Sequence, residues 1–176
     1  MRKLGLIIGL LGLILCPAAW AQQAEQVAWF QERAEEWEGT AFPEFAMLDQ
    51  DGNPITHGAL ENEVTVIRFF FTGCPPCREE TNQLNGLYNR YHPRGVNFLA
   101  FSFDPDTRTR MFREWKKYRY RVVPDAKRFI QNDMHVGVYP THMVVNPKGQ
   151  VTSVILGTDL FIGWKLRWAI YKARRQ

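Results

Sequence analysis

The sequence predicts an α/β fold built around a parallel β-α-β unit. Two runs, at 64–71 and 96–103, are almost continuously apolar and rich in β-branched and aromatic residues, which is typical of central strands covered on both faces. Each run is followed by a segment whose apolar residues recur at helical spacing. Strands that alternate with helices in this way form a parallel sheet. A length of 176 residues and a hydrophobic content of 45% fit one globular domain.

The first residues have the features of a secretory signal peptide. Arg2 and Lys3 precede a 12-residue apolar run at 4–15, and Ala19 and Ala21 supply the small residues of a cleavage site. The run is shorter than the roughly 18 to 20 apolar residues that span a bilayer, so membrane anchoring is expected only if the signal is not removed. Cleavage at this site would deliver the mature protein to the periplasm or to the cell exterior.

The chain is divided into three parts. Residues 1–21 are assigned to the signal peptide, 22–40 to an N-terminal helical extension and 41–176 to the folded domain. Within the extension, apolar residues recur at helical spacing between about 24 and 38. Two short extended segments around a Gly-containing turn, within 45–56, then predict a β-hairpin.

Loss of the signal peptide changes both the charge and the cysteine count. Removing Arg2 and Lys3 lowers the formal net charge from +4 to +2, and so small a charge without a long basic run gives no reason to expect a nucleic-acid partner. Cys16 is also removed, which leaves Cys74 and Cys77. A disulfide between these two closes a very short loop and constrains the unfolded chain very little, so a purely structural bridge is not expected.

The last third of the chain predicts a short helix, a hairpin and a final helix. The short helix is expected near 126–133, and β-branched runs at 142–146 and 151–155 flank a Pro-Lys-Gly turn. The final helix is interpreted as packing an aromatic stripe into the core. Its basic residues are interpreted as a solvent-exposed face, in preference to a contact with anionic lipid or an acidic partner. The aromatic residues of this helix are Phe161, Trp164, Trp168 and Tyr171.

Cys74 and Cys77 form the motif that carries chemistry. They flank two prolines, directly after a predicted buried strand and before a predicted helix. The N-terminus of a helix favours a thiolate over a thiol. The first thiolate can attack a substrate disulfide, and the second cysteine can resolve the mixed disulfide, without any bound cofactor or metal. Cys74 is therefore predicted to be the exposed nucleophile and Cys77 the resolving thiol.

Two sequence segments around the cysteines extend this motif. They are Phe-Phe-Thr-Gly-Cys-Pro-Pro-Cys-Arg-Glu-Glu at 70–80 and Tyr-Pro-Thr at 139–141, before the second hairpin. With them the chain resembles the thioredoxin-like fold, a central mixed β-sheet flanked by helices, here with an N-terminal helix and a β-hairpin extension. From about Phe42 to Gly157 it is most similar to the periplasmic TlpA/ResA-type thiol-disulfide oxidoreductases of the redoxin/AhpC-TSA-like superfamily.

This resemblance implies an enzyme, a protein disulfide reductase. Its substrates would be protein disulfides, and its electrons would come from a membrane thiol reductant of the DsbD type. Apocytochromes in cytochrome c maturation, copper-site proteins and misoxidised proteins are all open as clients.

The resemblance also assigns residues around the cysteines. Pro140 is expected to be cis and to face Cys74 and Cys77, with the backbone of Tyr139 available to pair with an extended substrate peptide. A trans proline that simply begins a strand is the alternative. One departure is Gly73, which stands where the family usually has a tryptophan and removes apolar contact surface beside the first cysteine.

Arg68 and Glu80 are the candidates for tuning the site. Arg68 lies in the predicted central strand, where a charge needs a partner. Glu80 follows Cys77 by three residues, on the same helix face, and matches the family's acidic residue near the resolving cysteine. Two roles are open for Glu80: proton relay for Cys77, or ion-pair partner of Arg68.

The two prolines between the cysteines make a further prediction. If Cys74 is the N-cap of the helix, Pro75 and Pro76 occupy its first two positions and offer no N–H. Only the amide of Cys77 can then donate to the Cys74 thiolate. The pKa of Cys74 is therefore expected to resemble that of thioredoxin more than the very low pKa of the strong oxidant DsbA.

A copper-binding assembly factor of the SCO type is the alternative function. Cys74, Cys77 and His142 would supply three suitable ligands, although SCO proteins normally use Cys-x-x-x-Cys. A hydrogen-bonded histidine at a strand end is the simpler interpretation of His142. A peroxidase of the peroxiredoxin type requires Thr-x-x-Cys, and Thr72 is one residue too close to Cys74.

Overall fold

The structure is a computed structural model that describes residues 16–176. The basic and apolar parts of the expected signal peptide, residues 1–15, lie outside the described residues. The first helix begins at Cys16 rather than near residue 24. Within 16–176, none of the helices combines the length and the apolar character needed to cross a membrane.

Within the described residues the four α-helices and six of the seven strands follow the predicted order, and the strand at Arg121–Val123 was not predicted. A short π-helical turn at Phe129–Asp133 takes the place of the predicted short helix. The elements are α1 (Cys16–Trp37), β1 (Ala46–Leu48), β2 (Pro54–Thr56), β3 (Val64–Phe70), α2 (Pro75–Tyr91), β4 (Val96–Ser102), α3 (Asp106–Lys116), β5 (Arg121–Val123), β6 (Thr141–Val145), β7 (Val151–Leu156) and α4 (Ile162–Ala173).

A five-stranded mixed sheet forms the centre of the fold, in the order β5-β4-β3-β6-β7. β3 and β5 both run parallel to β4, whereas β6 is antiparallel to β3 and β7. β1 and β2 form a separate hairpin, which caps the edge of β5 because the Gln50 amide donates to the Val122 carbonyl at 2.8 Å. The predicted α/β class, mixed sheet, N-terminal helix and hairpin extension are all present.

β3 divides the core into two layers. Its side chains alternate between the faces of the sheet: Val66 and Phe70 join the cluster beneath α2 and α4, whereas Ile67 and Phe69 join the cluster on the other face. All of β3 is buried, so the strand is covered on both faces, as its continuous apolar run predicted. Arg68 shares a face with Val66 and Phe70 and is therefore buried beneath α2.

α4 packs on the face opposite to the one expected. Its aromatic residues are exposed, so the interpretation of them as core is wrong. A second apolar set at helical spacing is buried instead, and its alanines, Ala169 and Ala173, let the helix lie close to its neighbours where a tryptophan would not fit. Spacing alone cannot choose between two such sets. The buried residues are Ile162, Leu166, Ala169, Ile170 and Ala173.

Candidate active site

β3 leads the chain to the start of α2, where the two cysteines lie. β3 ends at Phe70 and α2 begins at Pro75. Cys74 is the N-cap of α2, and Cys77 lies in its first turn. The two form a disulfide with Cα atoms 5.2 Å apart. The predicted arrangement of strand, cysteine motif and helix is therefore present.

Cys74 is less exposed than the sequence predicts. Its exposed fraction is 2%, against 0% for Cys77. The Cys74 sulfur is covered by its bond to Cys77 and by the loop before β6, since Sγ lies 3.9 Å from the Tyr139 carbonyl oxygen. A disulfide sulfur has no hydrogen to donate, so this contact becomes a hydrogen bond only when Cys74 is a thiol. The expected exposure is wrong for the disulfide form, and the greater reactivity of Cys74 stays a prediction.

One backbone amide points at the Cys74 sulfur. The Cys77 amide lies 3.3 Å from Cys74 Sγ, whereas Pro75 and Pro76 have no N–H. The next amide, of Arg78, donates to the Cys74 carbonyl at 3.1 Å. An amide that donates to a sulfur stabilises the thiolate, and the single donor predicted from the two prolines is confirmed.

The loop before β6 borders the disulfide. The Tyr139–Pro140 peptide bond is cis, as the resemblance implied. The half-buried Tyr139 ring packs edge-on against Phe71 and Phe103, with centroids 5.6 and 4.9 Å away, and its hydroxyl donates to the Val136 carbonyl at 2.7 Å. Burial raises the pKa of Tyr139, so the hydroxyl keeps its proton and this hydrogen bond at neutral pH.

Arg68, Glu80 and His142 form a buried charge network beneath the first turn of α2. Arg68 Nη2 lies 2.9 Å from Glu80 Oε1, and His142 Nε2 lies 3.2 Å from both carboxylate oxygens. The three side chains are at most 1% exposed. The pairing of β3 with β6 sets Arg68 opposite His142, and α2 supplies Glu80. Arg68 Nη2 also donates to the Cys77 carbonyl, which links the network to the resolving cysteine.

The network changes the acidity of Glu80. Burial by itself raises the pKa of this carboxyl, but the charge and hydrogen bond of His142, the charge of Arg68 and a hydrogen bond from Thr158 lower it more. The net pKa lies below its usual value, so Glu80 is ionised at neutral pH. This geometry contains the ion pair expected from the sequence, while a proton relay through Glu80 stays a prediction.

Sequence reasoning missed two contributors to the network. The Arg68 guanidinium carbon lies 4.7 Å from the ring centroid of Phe70 and 5.1 Å from that of Tyr118, so aromatic faces help to hold the buried cation. His142 was interpreted as a strand-end histidine and not as the second partner of Glu80. The sequence does place His142 two residues after Pro140 on a predicted strand. It does not give the register of that strand against β3, which sets His142 opposite Arg68.

The histidine considered as a copper ligand, His142, contacts a buried carboxylate. Nε2 of His142 is bonded to Glu80, and both cysteines are held in the disulfide. Among residues 16–176, no group of three or more His, Cys, Asp or Glu side chains is arranged to hold a metal ion. The simpler interpretation of His142, a hydrogen-bonded histidine, is the one that the contacts support.

A cleft of about 380 Å³ opens beside the disulfide at Gly73. Met111 and Trp115 of α3 are exposed there, although Phe112 between them is buried. Gly73 stands where the resemblance led us to expect a tryptophan, and Met111 and Trp115 of α3 supply apolar surface beside it. The residues that line the cleft are Thr72, Gly73, Arg108, Met111, Phe112 and Trp115.

Comparison with known proteins identifies a family and relatives named as thiol-disulfide oxidoreductases. A model of the AhpC/TSA family matches residues 39–154. Thiol-disulfide oxidoreductase ResA of Geobacillus kaustophilus is 28% identical over 130 residues, which cover 73% of this chain and 75% of that protein. Sporulation thiol-disulfide oxidoreductase A of Bacillus subtilis is 26% identical over 160 residues, which cover 89% of this chain and 90% of that protein.

Solved structures share the fold. A thiol:disulfide interchange protein of the thioredoxin family from Chlorobium tepidum has a TM-score of 0.65 at 23% identity, over 76% of this chain and 95% of that one. StoA from Bacillus subtilis has a TM-score of 0.61 at 21% identity, over 74% of this chain and 98% of that one. These similarities confirm the thioredoxin-like fold that the sequence strings implied.

Proposed function

The chain belongs to the AhpC/TSA family and is a thiol-disulfide oxidoreductase, and we propose that it reduces protein disulfides in the periplasm or outside the cell. The observation that carries the proposal is the Cys74–Cys77 disulfide at the start of α2, beside the backbone of Tyr139. The expected signal peptide supports the location.

In the proposed reaction, the reduced protein attacks a client disulfide through Cys74. A bond forms between Cys74 Sγ and one client sulfur, and the other client sulfur leaves as a thiolate that takes up a proton. Cys77 then loses its proton and attacks Cys74 Sγ, which releases the second client thiolate and forms the Cys74–Cys77 disulfide. The client gains two electrons and two protons, and no bound cofactor or metal takes part.

The buried charge network would act on the second step. Arg68 holds the Cys77 carbonyl and so fixes the resolving cysteine relative to β3. Glu80 keeps Arg68 in place and balances its charge. As a proton relay, the Glu80 carboxylate would have to exchange a contact with Arg68 or His142 for the Cys77 proton, which its lowered pKa disfavours. Positioning is therefore the role that the contacts support best.

Reduction is the direction that the thiolate environment favours. One amide faces the Cys74 sulfur, and Glu80 offsets the charge of Arg68. A thiolate that is weakly stabilised makes the reduced protein a better electron donor. Electrons would come from a membrane thiol reductant of the DsbD type, and the Cys-x-x-Cys-His haem sites of apocytochromes are one client with a suitable cysteine pair.

Insulin reduction and the reduction potential test the proposal. We expect a potential near that of thioredoxin, roughly −270 mV, whereas a value near −120 mV would indicate an oxidant. Cys74→Ala should lose all activity, and Cys77→Ala should stop at a mixed disulfide visible on a non-reducing gel. A Cys74→Ala protein that still reduces insulin would contradict the mechanism.

A further inference from the structure

We propose that α4 docks the protein on an anionic lipid surface through an exposed apolar stripe. The stripe goes beyond the disulfide chemistry and does not rest on it. Single exposed apolar side chains are ordinary on a protein, but a contiguous apolar patch marks an interaction site. The stripe consists of Leu160, Phe161, Trp164, Trp168 and Tyr171, with exposed fractions of 86%, 66%, 65%, 60% and 48%.

The stripe forms a ridge along one side of the helix. At roughly 100° per residue, Phe161, Trp164, Trp168 and Tyr171 fall within an arc of about 80°. The buried residues of α4 lie on the opposite side. The rings of Trp168 and Tyr171 stack with centroids 5.4 Å apart, so these two members of the ridge contact each other as well as solvent.

Basic residues border the stripe on both sides. The same angular count places Lys165 and Lys172 along one edge and Arg167 and Arg174 along the other. The Arg175 guanidinium lies over the ring of the last stripe residue, 5.3 Å from its centroid. A helix with apolar side chains flanked by lysine and arginine is typical of segments that lie in the interface of a membrane.

Most of this positive charge is not neutralised within the protein. Between residues 159 and 176 the only acidic residue is Asp159. Asp159 pairs with Lys165, and Glu38, just after α1, lies 3.5 Å from Lys172. Within residues 16–176, these are the only ion pairs that α4 makes. Arg174 donates to the Arg94 carbonyl at 2.6 Å and Arg175 to the Tyr171 hydroxyl, but neither these two arginines nor Arg167 has an acidic partner there, so their charges are left for lipid phosphates.

Anionic lipid satisfies both features of this surface. Tryptophan and tyrosine favour the region of the headgroups, where an apolar ring and a polar edge are both accommodated, and arginine and lysine are attracted to anionic lipids. A second copy of the chain would cover the rings, but a twofold contact would bring the same cationic edges together. The positive charge therefore favours lipid over self-association.

Docking along α4 would also orient the active site. The stripe begins at Leu160, and the nearby Gly157 amide donates to the Pro140 carbonyl at 2.7 Å. The first end of the stripe therefore lies close to the loop that borders the disulfide. A protein held on lipid by this ridge would present its disulfide end near the headgroups.

Vesicle binding of the full chain tests the proposal. The vesicles contain phosphatidylcholine alone, or equal parts of phosphatidylcholine and phosphatidylglycerol. We expect binding to the anionic vesicles that weakens at about 0.5 M salt, and a loss of about tenfold or more in Trp164→Ala/Trp168→Ala and in Arg167→Glu/Arg175→Glu. Trp115→Ala is the matched control, because Trp115 is 64% exposed on α3, and it should bind like the unaltered protein.

A second readout guards against binding through residues 1–15, which all variants share. Brominated anionic lipid quenches the fluorescence of tryptophan that is inserted into the headgroup region. If Trp164 and Trp168 are the inserted residues, brominated lipid should quench Trp164→Phe/Trp168→Phe much less than the unaltered protein. Circular dichroism and thermal unfolding check that each variant is folded. Equal binding together with equal quenching in all variants would overturn the proposal. Absence of vesicle binding would overturn it too, and a dimer abolished by Trp164→Ala/Trp168→Ala would then assign the stripe to a second copy.

Discussion

The helices α2 and α4 pack against each other, and each has side chains whose exposure is unusual: ionisable side chains are buried beneath α2, and aromatic side chains are exposed on α4. Beneath α2, the ionisable side chains of Arg68, Glu80 and His142 are withdrawn from water. On the outside of α4, Trp164 and Trp168 are exposed to it. Charged side chains are seldom fully buried, and large aromatic side chains are usually well buried.

The difference between the two regions lies in their partners. The buried charges pair with one another, and a pair of this kind adds little net stability although breaking it is strongly destabilising. Its place beneath Cys77 therefore indicates positioning of the cysteine. The exposed rings, by contrast, have no comparable role in the fold, because a separate aliphatic set anchors α4. The buried charges lie where we infer positioning of Cys77, and the exposed rings lie where we propose docking on lipid.

Breaking the charge network should have the largest effect on stability. Glu80→Gln leaves Arg68 buried without a counter-charge, so the free energy of unfolding should fall by about 3 to 5 kcal/mol. Urea unfolding of the oxidised protein measures this change. Glu79→Gln is the matched control, since Glu79 is exposed on the same turn and its loss should cost about 0.5 kcal/mol or less. Equal unfolding midpoints in the two variants would show that the pair does not hold this region together.

The two faces of α4 should differ sharply in their contribution to stability. Leu166→Ala removes a fully buried side chain and should cost about 2 to 5 kcal/mol. Trp168→Ala removes a larger but exposed ring and should change the free energy of unfolding by about 0.5 kcal/mol or less. Thermal or urea unfolding compares them. A Trp168→Ala protein that loses as much stability as Leu166→Ala would mean that the stripe is part of the core.

The charge balance beneath α2 should be detectable at Cys74. In the reduced protein, we expect a Cys74 pKa below that of a free cysteine but closer to thioredoxin's than to DsbA's. Glu80→Gln removes the charge that offsets Arg68 and should lower the Cys74 pKa further, by on the order of one pH unit, or about 1.4 kcal/mol.

Ultraviolet absorbance of the thiolate followed against pH measures the Cys74 pKa. Glu79→Gln should leave the midpoint unchanged, because Glu79 is exposed and its charge is screened by solvent. A midpoint as low as DsbA's in the unaltered protein would show that the missing amides of Pro75 and Pro76 do not control this thiolate.

Features with local signals were predictable from the sequence. β3 and β4 end within one residue of the apolar runs that predicted them, because continuous β-branched and aromatic runs identify buried strands. The pairing of Arg68 with Glu80 was also predictable, since a charge in a central strand needs a partner and Glu80 is the acidic residue on the adjoining helix face.

Features that depend on distant parts of the chain were not predictable. His142 joins the network through the register of β6 against β3, which hydrophobic pattern alone specifies weakly when both faces of a strand are buried. The buried face of α4 depends on the space available beneath it, which admits Ala169 and Ala173 but not the rings. The coverage of Cys74 comes from the Tyr139 loop, far away in sequence.

Acid titration should give the smallest effect and separate the buried network from other carboxylates. The folded-state pKa of Glu80 lies below its usual value of 4.5, so the stability contributed by Glu80 is fully present above the unfolded pKa and is lost as pH falls through the folded pKa. The stability difference between the unaltered protein and Glu80→Gln should therefore be constant near neutral pH and shrink on acidification, with a slope of at most about 1.4 kcal/mol per pH unit.

Asp49 and Asp159 also have lowered pKa values, but they are present in both proteins and cancel in the difference. Urea unfolding from neutral to acidic pH measures it, and parallel curves for the two proteins would mean that Glu80 is not the ionised partner of Arg68 and His142.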